Sequence, residues 1–258
     1  AAMILSCATN PFTGKKTMAF VPDSSLFASS FQQYSEFLKE HKVVTGTSDA
    51  QMVQRVGGKI RKAAEKWLSA HGHSNYLNDY KWEYKLVQDD AVNAWCMPGG
   101  KIVVYTGLLK VSGNEAGLAT VMGHEVAHAL ANHGQQRMSA SLLQQLGAVG
   151  VNEATGRSSE GTRQLAMMAY GAGSNVVGMM PFSRKHESEA DRIGLTLMAL
   201  AGYNPSEALS FWKRMSSQGG KSVPEILSTH PSDATRISNI QKLIPEAKAE
   251  AAKFGIKY

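Results

Sequence analysis

Apolar positions recur at helical spacing along most of the chain and alternate in only one region. Phe27, Phe31, Tyr34 and Leu38 fall on one face of a short helix over residues 27–39. Met52, Val56, Ile60, Ala63 and Trp67 line a longer helix, which opens at the capping run Thr47-Ser48-Asp49 and closes at Gly72. Gly57 and Gly58 inside it are each about 1 kcal/mol less favourable than alanine, a penalty that points to close packing. The period then falls to two. Trp82, Tyr84 and Leu86 alternate with Lys81, Glu83 and Lys85, as in a half-buried strand. Residues 92–97 read as another strand, Pro98-Gly99-Gly100 as a turn and residues 101–106 as the hairpin partner. A short helical piece at 108–111 leads into a helix over 114–134, and the rest is helical: 183–202, then 204–215 behind the capping box Asn204-Pro205-Ser206-Glu207, then a pair at 231–243 and 245–254. This pattern predicts an α+β, mainly helical fold with one small antiparallel sheet.

The helix over 114–134 carries the chemistry. Asn114 suits its N-cap, Glu115 the positive end of its dipole and Gly134 a left-handed stop. His124 and His128 are one turn apart, about 40° of rotation and about 6 Å of rise, so both imidazoles point the same way. Two neutral imidazoles on one face suit a divalent zinc ion. Glu125, one position round, can reach a water on the metal and take its proton, the reading given to H-E-x-x-H. A buried helix with two hydrogen-bonded histidines is the other reading. His133 reads as a helix-end histidine, because the extended zinc signature needs Gly at 131 and His at 134, where this chain has Ala131 and Gly134.

A catalytic zinc takes three protein ligands and keeps one open position. The best third candidate is Glu187, in Ser183-Arg184-Lys185-His186-Glu187-Ser188-Glu189-Ala190-Asp191. Glu187 and Asp191 share a helix face, Glu189 points roughly opposite, and Gly194 leaves room on the shared face for a second helix. A charged surface helix is the alternative for this stretch taken alone; coupled to the upstream motif, the ligand reading is preferred.

Composition narrows the class. The 258 residues, 43% apolar, suffice for a sizeable core. No run of eighteen clearly apolar residues occurs, so nothing is expected to span a membrane. The nearest stretch, 165–182, is broken by Gly171, Gly173, Ser174, Asn175 and Gly178 and reads as a mobile or small-residue packing segment. The net charge of +6 comes largely from 59–66 and the C-terminal tail, and no nucleic-acid recognition module accompanies it, so nucleic acid is disfavoured. Two cysteines are too few for a disulfide framework. Ile4-Leu5-Ser6-Cys7 resembles a bacterial lipobox, and the polar, Pro- and Gly-punctuated residues that follow read as a tether. Residues 1–25 are therefore expected to be an N-terminal tether with a lipid anchor at Cys7, and 26–258 a single domain; an ordinary thiol in a disordered terminus is the alternative.

Taken together, His124-Glu125-x-x-His128, the Ser-Arg-x-x-Glu-x-Glu-Ala-Asp-Arg run at 183–192, and Thr229-His230-Pro231 followed by Arg236 resemble metallopeptidase family forty-eight. That family holds the CaaX prenyl endopeptidases, the heat-shock protease HtpX, mitochondrial Oma-type proteases and soluble bacterial envelope proteases. Asn93-Ala94-Trp95 and Pro98-Gly99-Gly100 also match its pattern, and the similarity covers residues 48–243. The resemblance implies a gluzincin-type fold and one zinc per chain on His124, His128 and Glu187. It implies Glu125 as general base, Asp191 behind the ligands, and His230 and Arg236 lining the site and facing the oxyanion. His230, just before Pro231 in a loop with Pro224, Ser228 and Ser232, could also close the open zinc position. Cys96, where relatives commonly have a small apolar residue, reads as packing.

The multi-span helices of the prenyl and heat-shock types and the helical repeats of the larger envelope members have no counterpart in this sequence. The expected function is thus zinc-dependent endopeptidase hydrolysis of extended or unfolded polypeptides, which would add a strand to the edge at 92–97 through Asn93, Ala94 and Trp95. The expected setting is protein quality control in the bacterial envelope, in the periplasm and on a membrane through lipid on Cys7. A zinc-dependent chaperone or assembly factor with rare proteolysis is the alternative.

Overall fold

The computed structural model describes residues 7–217, 224–230 and 234–258. The fold is mainly helical, with a small sheet packed beside the helix that carries His124. A two-stranded hairpin, β1 (Cys7–Thr9) and β2 (Lys16–Met18), precedes α1 (Asp23–Glu40), β3 (Val43–Val44) and α2 (Ser48–Ala70). Strands β4 (Glu83–Val87), β5 (Ala94–Met97) and β6 (Lys101–Tyr105) follow, and then helices α3 (Thr106–Ser112) and α4 (Glu115–Leu130). No helix among the described residues is long and apolar enough to cross a membrane.

The sheet has the order β3-β4-β6-β5. It is mixed where an antiparallel sheet was expected, because β6 inserts beside β4 and runs parallel to it. The β5–β6 hairpin turns on Gly99 and Gly100, both at positive φ, and leaves β5 on the sheet edge. Gly57 and Gly58 behave differently from one another. A Cβ on Gly57 would enter the Tyr84 ring, so α2 lies against β4 at that point, while Gly58 faces open space.

Helix α4 is buried from Gly117 to Leu130, as expected of a helix apolar nearly all round. Asn114 caps its start by accepting from the Gly117 N–H at 2.8 Å. Its end is closed from outside: Asn10 Nδ2 and the Tyr76 hydroxyl donate to the Leu130 carbonyl at 2.7 and 2.8 Å, and the Tyr80 hydroxyl to that of Ala129 at 3.3 Å. Asn10 thus ties the β1–β2 hairpin to the metal helix, and Phe12 stacks on Trp67 with 4.7 Å between centroids. Within the stretch expected as a tether, Asn10 and Phe12 are therefore buried against the core. Residues 4–6 of the lipobox-like run lie outside the described residues.

The helix stops at Asn132, which takes the left-handed conformation (φ 56°), and not at Gly134. Asparagine tolerates that region, and the chain restarts as α5 (His133–Ala154) with His133 folded back toward α4. Helix α6 (Glu160–Gly173), a π-helical turn (Ser174–Met179) and α7 (Met180–Leu200) continue the backbone through the glycine-rich stretch. Helices α8 (Glu207–Ser217), α9 (Glu225–Thr229) and α10 (Ala234–Lys253) complete the chain. Pro245 lies inside α10 and does not divide it, because Ile240, Ile244, Ala247 and Ala251 form one buried stripe across it.

Candidate metal centre

Two helices build the site by crossing at glycines. A Cβ on Gly194 of α7 would lie 2.9 Å from the His124 backbone nitrogen, and one on Gly123 of α4 would lie 2.9 Å from the Gly194 carbonyl oxygen. With hydrogens only at these positions, the two backbones approach closely enough for side chains from both to share one centre.

His124, His128, Glu187 and His230 converge there, each offering one ligand atom, with all four atoms within 4.8 Å of one another. His124 Nε2 lies 3.1 Å from His128 Nε2, 3.2 Å from His230 Nδ1 and 3.3 Å from Glu187 Oε2. His128 Nε2 is 3.3 Å from Glu187 Oε1, and His230 Nδ1 is 2.9 Å from the same oxygen. Tetrahedral ligands held at 2.0–2.1 Å from zinc are separated by ~3.3 Å, so the spacing and the N/O donor set both fit that ion.

The outer nitrogens of the two motif histidines are held so that the inner ones carry lone pairs. His124 Nδ1 donates to Asp191 Oδ1 at 3.0 Å. Asp191 in turn accepts a fork from Arg236, Nε at 2.9 Å and an Nη at 2.8 Å. On the other ligand, Glu189 accepts from His133 Nε2 at 3.3 Å, which leaves His133 Nδ1 to accept from His128 Nδ1 at 2.9 Å. Lys15, in the turn of the β1–β2 hairpin, pairs with Glu189. Carboxylates that orient ligand imidazoles in this way fix the tautomer and raise ligand basicity.

Titration follows the same geometry. Burial holds the His128 pKa well below its ordinary value. Burial acts likewise on His124, but hydrogen bonds to Asp191 and Glu187 outweigh it and raise the pKa to about 9. At Glu187 the hydrogen bonds from His124, His128 and His230 overcome desolvation and keep the carboxylate ionised far below its usual range. His133 is held at about 3, chiefly by burial, and is neutral as the relay requires. A cation at the centre competes with the protons on these imidazoles.

Glu125 Oε1 is buried and has no hydrogen-bond partner among the described residues; His230 Nε2 lies 3.5 Å from it. An acceptor left bare beside a donor cluster is placed to take a proton from a water there. Cys96 stands outside the cluster, its thiol pKa raised by burial and by the Glu125 charge. Ala94 and Trp95 lie on edge strand β5, and Asn93 immediately precedes it.

Three expectations change. Arg236 is engaged within the protein: its fork is donated to Asp191, an Nη donates to the His230 carbonyl at 3.1 Å and lies 3.5 Å from Glu187 Oε2, and its plane sits 3.8 Å over the Trp212 ring. Glu189, on the opposite face of α7 from Glu187, still serves the site through His133. His133 is no mere helix end, and His186 stacks on it with 4.0 Å between centroids. The helical spacing of α7 places Glu189 away from the metal, so only the fold-back at Asn132 brings the relay together. Pro231 and Ser232 lie outside the described residues.

The chain is 37% identical over 194 residues to the mitochondrial metalloendopeptidase OMA1 of Arabidopsis thaliana, a match covering 73% of this chain and 36% of that protein. It is 34% identical over 203 residues to the OMA1 of Saccharomyces cerevisiae, covering 76% of this chain and 56% of that one. The beta-barrel assembly-enhancing protease of Escherichia coli is 31% identical over 173 residues, 65% of this chain and 35% of that protein. The chain thus spans about a third to somewhat over half the length of these relatives. Relatives from a plant, two yeasts and two mammals are mitochondrial enzymes, and they overturn the expectation of a bacterial periplasmic protein. The profile of Peptidase family M48 matches residues 57–244, which span the crossing helices, the donor cluster and the edge strand, and the chain belongs to that family.

Proposed function

We propose that this chain is a zinc-dependent endopeptidase acting on extended or unfolded polypeptides, with residues 26–258 as one catalytic domain. The observation that carries this reading is the donor cluster of His124, His128, Glu187 and His230 beside the bare carboxylate oxygen of Glu125. His124, His128 and Glu187 would hold the metal. When bound, zinc supplies Lewis acidity, which makes a water more acidic and polarises a carbonyl. Glu125 takes the proton from the attacking water and hands it to the departing amine. Asp191 and the Glu189–His133 pair hold the two motif imidazoles in place, and Arg236 holds Asp191. A substrate would add a strand along β5, beside Asn93, Ala94 and Trp95, where main-chain hydrogen bonds give affinity with little side-chain choice. Such a site suits clearance of unfolded chains better than processing of one sequence.

A second reading rests on two observations. His230 Nδ1 is the fourth donor of the cluster, and a four-ligand zinc site is closed to substrate. Six of the seven exposed large apolar side chains among the described residues (Met138, Leu143, Leu146, Val149, Leu165 and Met168) lie on α5 and α6, a surface that would hold an unfolded client. The protein would then be a chaperone or assembly factor whose proteolysis is latent.

Casein cleavage with and without a chelator, with Glu125→Gln alongside, separates the readings. The peptidase reading expects chelator-sensitive cleavage that Glu125→Gln abolishes while retaining zinc, because an amide cannot accept the proton. Cleavage by the variant at the wild-type rate refutes this site. Equal protection of a client from aggregation by both proteins, with no cleavage by either, favours the chaperone.

A further inference from the structure

On the side of α7 that bears Glu187, a cavity of about 930 Å³ opens between α7 and α10, with Thr13 and Lys15 of the β1–β2 turn on its rim. Ser183, Arg184, Glu187, Ser188, Asp191 and Arg192 form one wall; Thr235, Arg236, Asn239 and Lys242 form the other. The volume accommodates several side chains of a bound polypeptide.

Its charges do not balance. Of the three carboxylates in the wall, Glu187 belongs to the donor cluster, Asp191 is forked by Arg236, and Glu189 pairs with Lys15. Arg184, Lys185, Arg192 and Lys242 also line the cavity and are exposed, and none pairs with a carboxylate among the described residues. Arg184 and Arg192 are separated by roughly 12 Å of helix rise on α7, and Lys242 stands on the facing α10, so these cations are spread along the groove. A spread row of cations with small polar residues between them complements an extended anionic chain better than a single small anion.

We propose that this groove binds carboxylate-bearing segments of the polypeptide substrate, so that acidic residues flanking the cleaved bond select substrates to which edge-strand pairing is indifferent. The inference rests on the endopeptidase reading, with which it shares Glu187 at the groove wall. It adds a selectivity that main-chain pairing along β5 cannot supply.

The test measures binding, not turnover. Fluorescence anisotropy of a labelled twelve-residue peptide carrying Glu residues, and of its Gln-substituted twin, is followed on zinc-loaded Glu125→Gln protein. The groove expects the acidic peptide to bind more tightly than the twin. The double variant Arg184→Glu/Lys242→Glu should weaken the acidic peptide roughly tenfold or more and leave the twin unchanged. Lys62→Glu, an equally exposed reversal on α2, controls for the overall basic charge and should have little effect. Equal affinity for the two peptides, an undiminished preference in the double variant, or equal loss in Lys62→Glu overturns the proposal. So does displacement of the peptide by inorganic phosphate at equal concentration, which would assign the groove to small anions. If the preference holds while wild-type protein shows no chelator-sensitive casein cleavage, the groove stands and the endopeptidase reading falls.

Discussion

Replacing Gly194 by alanine should damage metal binding far more than it damages the fold. The new Cβ would sit 2.9 Å from the His124 nitrogen and 3.0 Å from two further backbone carbons of α4, where ordinary contacts begin at 3.4 Å. All three obstacles are main chain of a buried helix, so no rotamer can yield, and the helices must part by about 0.5 Å to restore ordinary contact. Overpacking of this kind costs about 1–3 kcal/mol, and the helix propensity gained over glycine returns about 1 kcal/mol of it. Metal sites tolerate only about 0.2 Å, and here two ligands ride on α4 and one on α7. The same half-ångström that is a modest strain on folding therefore exceeds the tolerance of the site, and zinc affinity should fall by about a hundredfold or more, equivalent to about 3 kcal/mol. Competition titration against a chromophoric chelator reads the affinity, and thermal melts of the chelated protein read the fold. Gly58→Ala is the control: its Cβ meets nothing, so it should stabilise the protein by up to about 1 kcal/mol with zinc affinity unchanged. A Gly194→Ala protein that holds zinc within threefold of wild type would refute the close crossing as the device that assembles the centre.

Purified wild-type protein should carry zinc near unit stoichiometry by elemental analysis, and Glu187→Ala should lose most of it. Glu189→Ala should weaken binding by only about 10–100-fold, since it acts through His133; full retention in Glu187→Ala with loss in Glu189→Ala would reverse the assignment. His230→Ala, measured by basal casein turnover at equal zinc content, should rise if the fourth donor blocks the site. A fall would make His230 a donor to the oxyanion, and no change would remove it from both roles.

The amino-acid sequence by itself determined what depends on local periodicity. A turn of helix puts His124 and His128 on one side and Glu187 and Asp191 on one side, whatever surrounds them. The small residue at 194 on the latter face already allowed a second backbone near it. The alternation at 81–86 and the turn at 98–100 likewise located a strand and a hairpin turn, because strand period and glycine conformation are properties of a few adjacent residues.

Tertiary structure decided everything that depends on two distant segments meeting. Sequence order cannot say that β6 inserts beside β4, which makes the sheet mixed. It cannot say that Asn132, not Gly134, reverses the chain, since both residues tolerate positive φ and only packing of His133 beneath His128 selects between them. Pro245 reads as a break until the apolar stripe of α10 is seen to run through it in phase and outweigh the lost hydrogen bond. Arg236 reads as an oxyanion donor until Asp191 is found within its reach. Glu189 points away from Glu187 by helical geometry, and it joins the centre only because α5 folds back to carry His133 between it and His128. Local chemistry sets which side chains share a face; the closing of one face on another is settled by burial, and burial is a property of the whole chain.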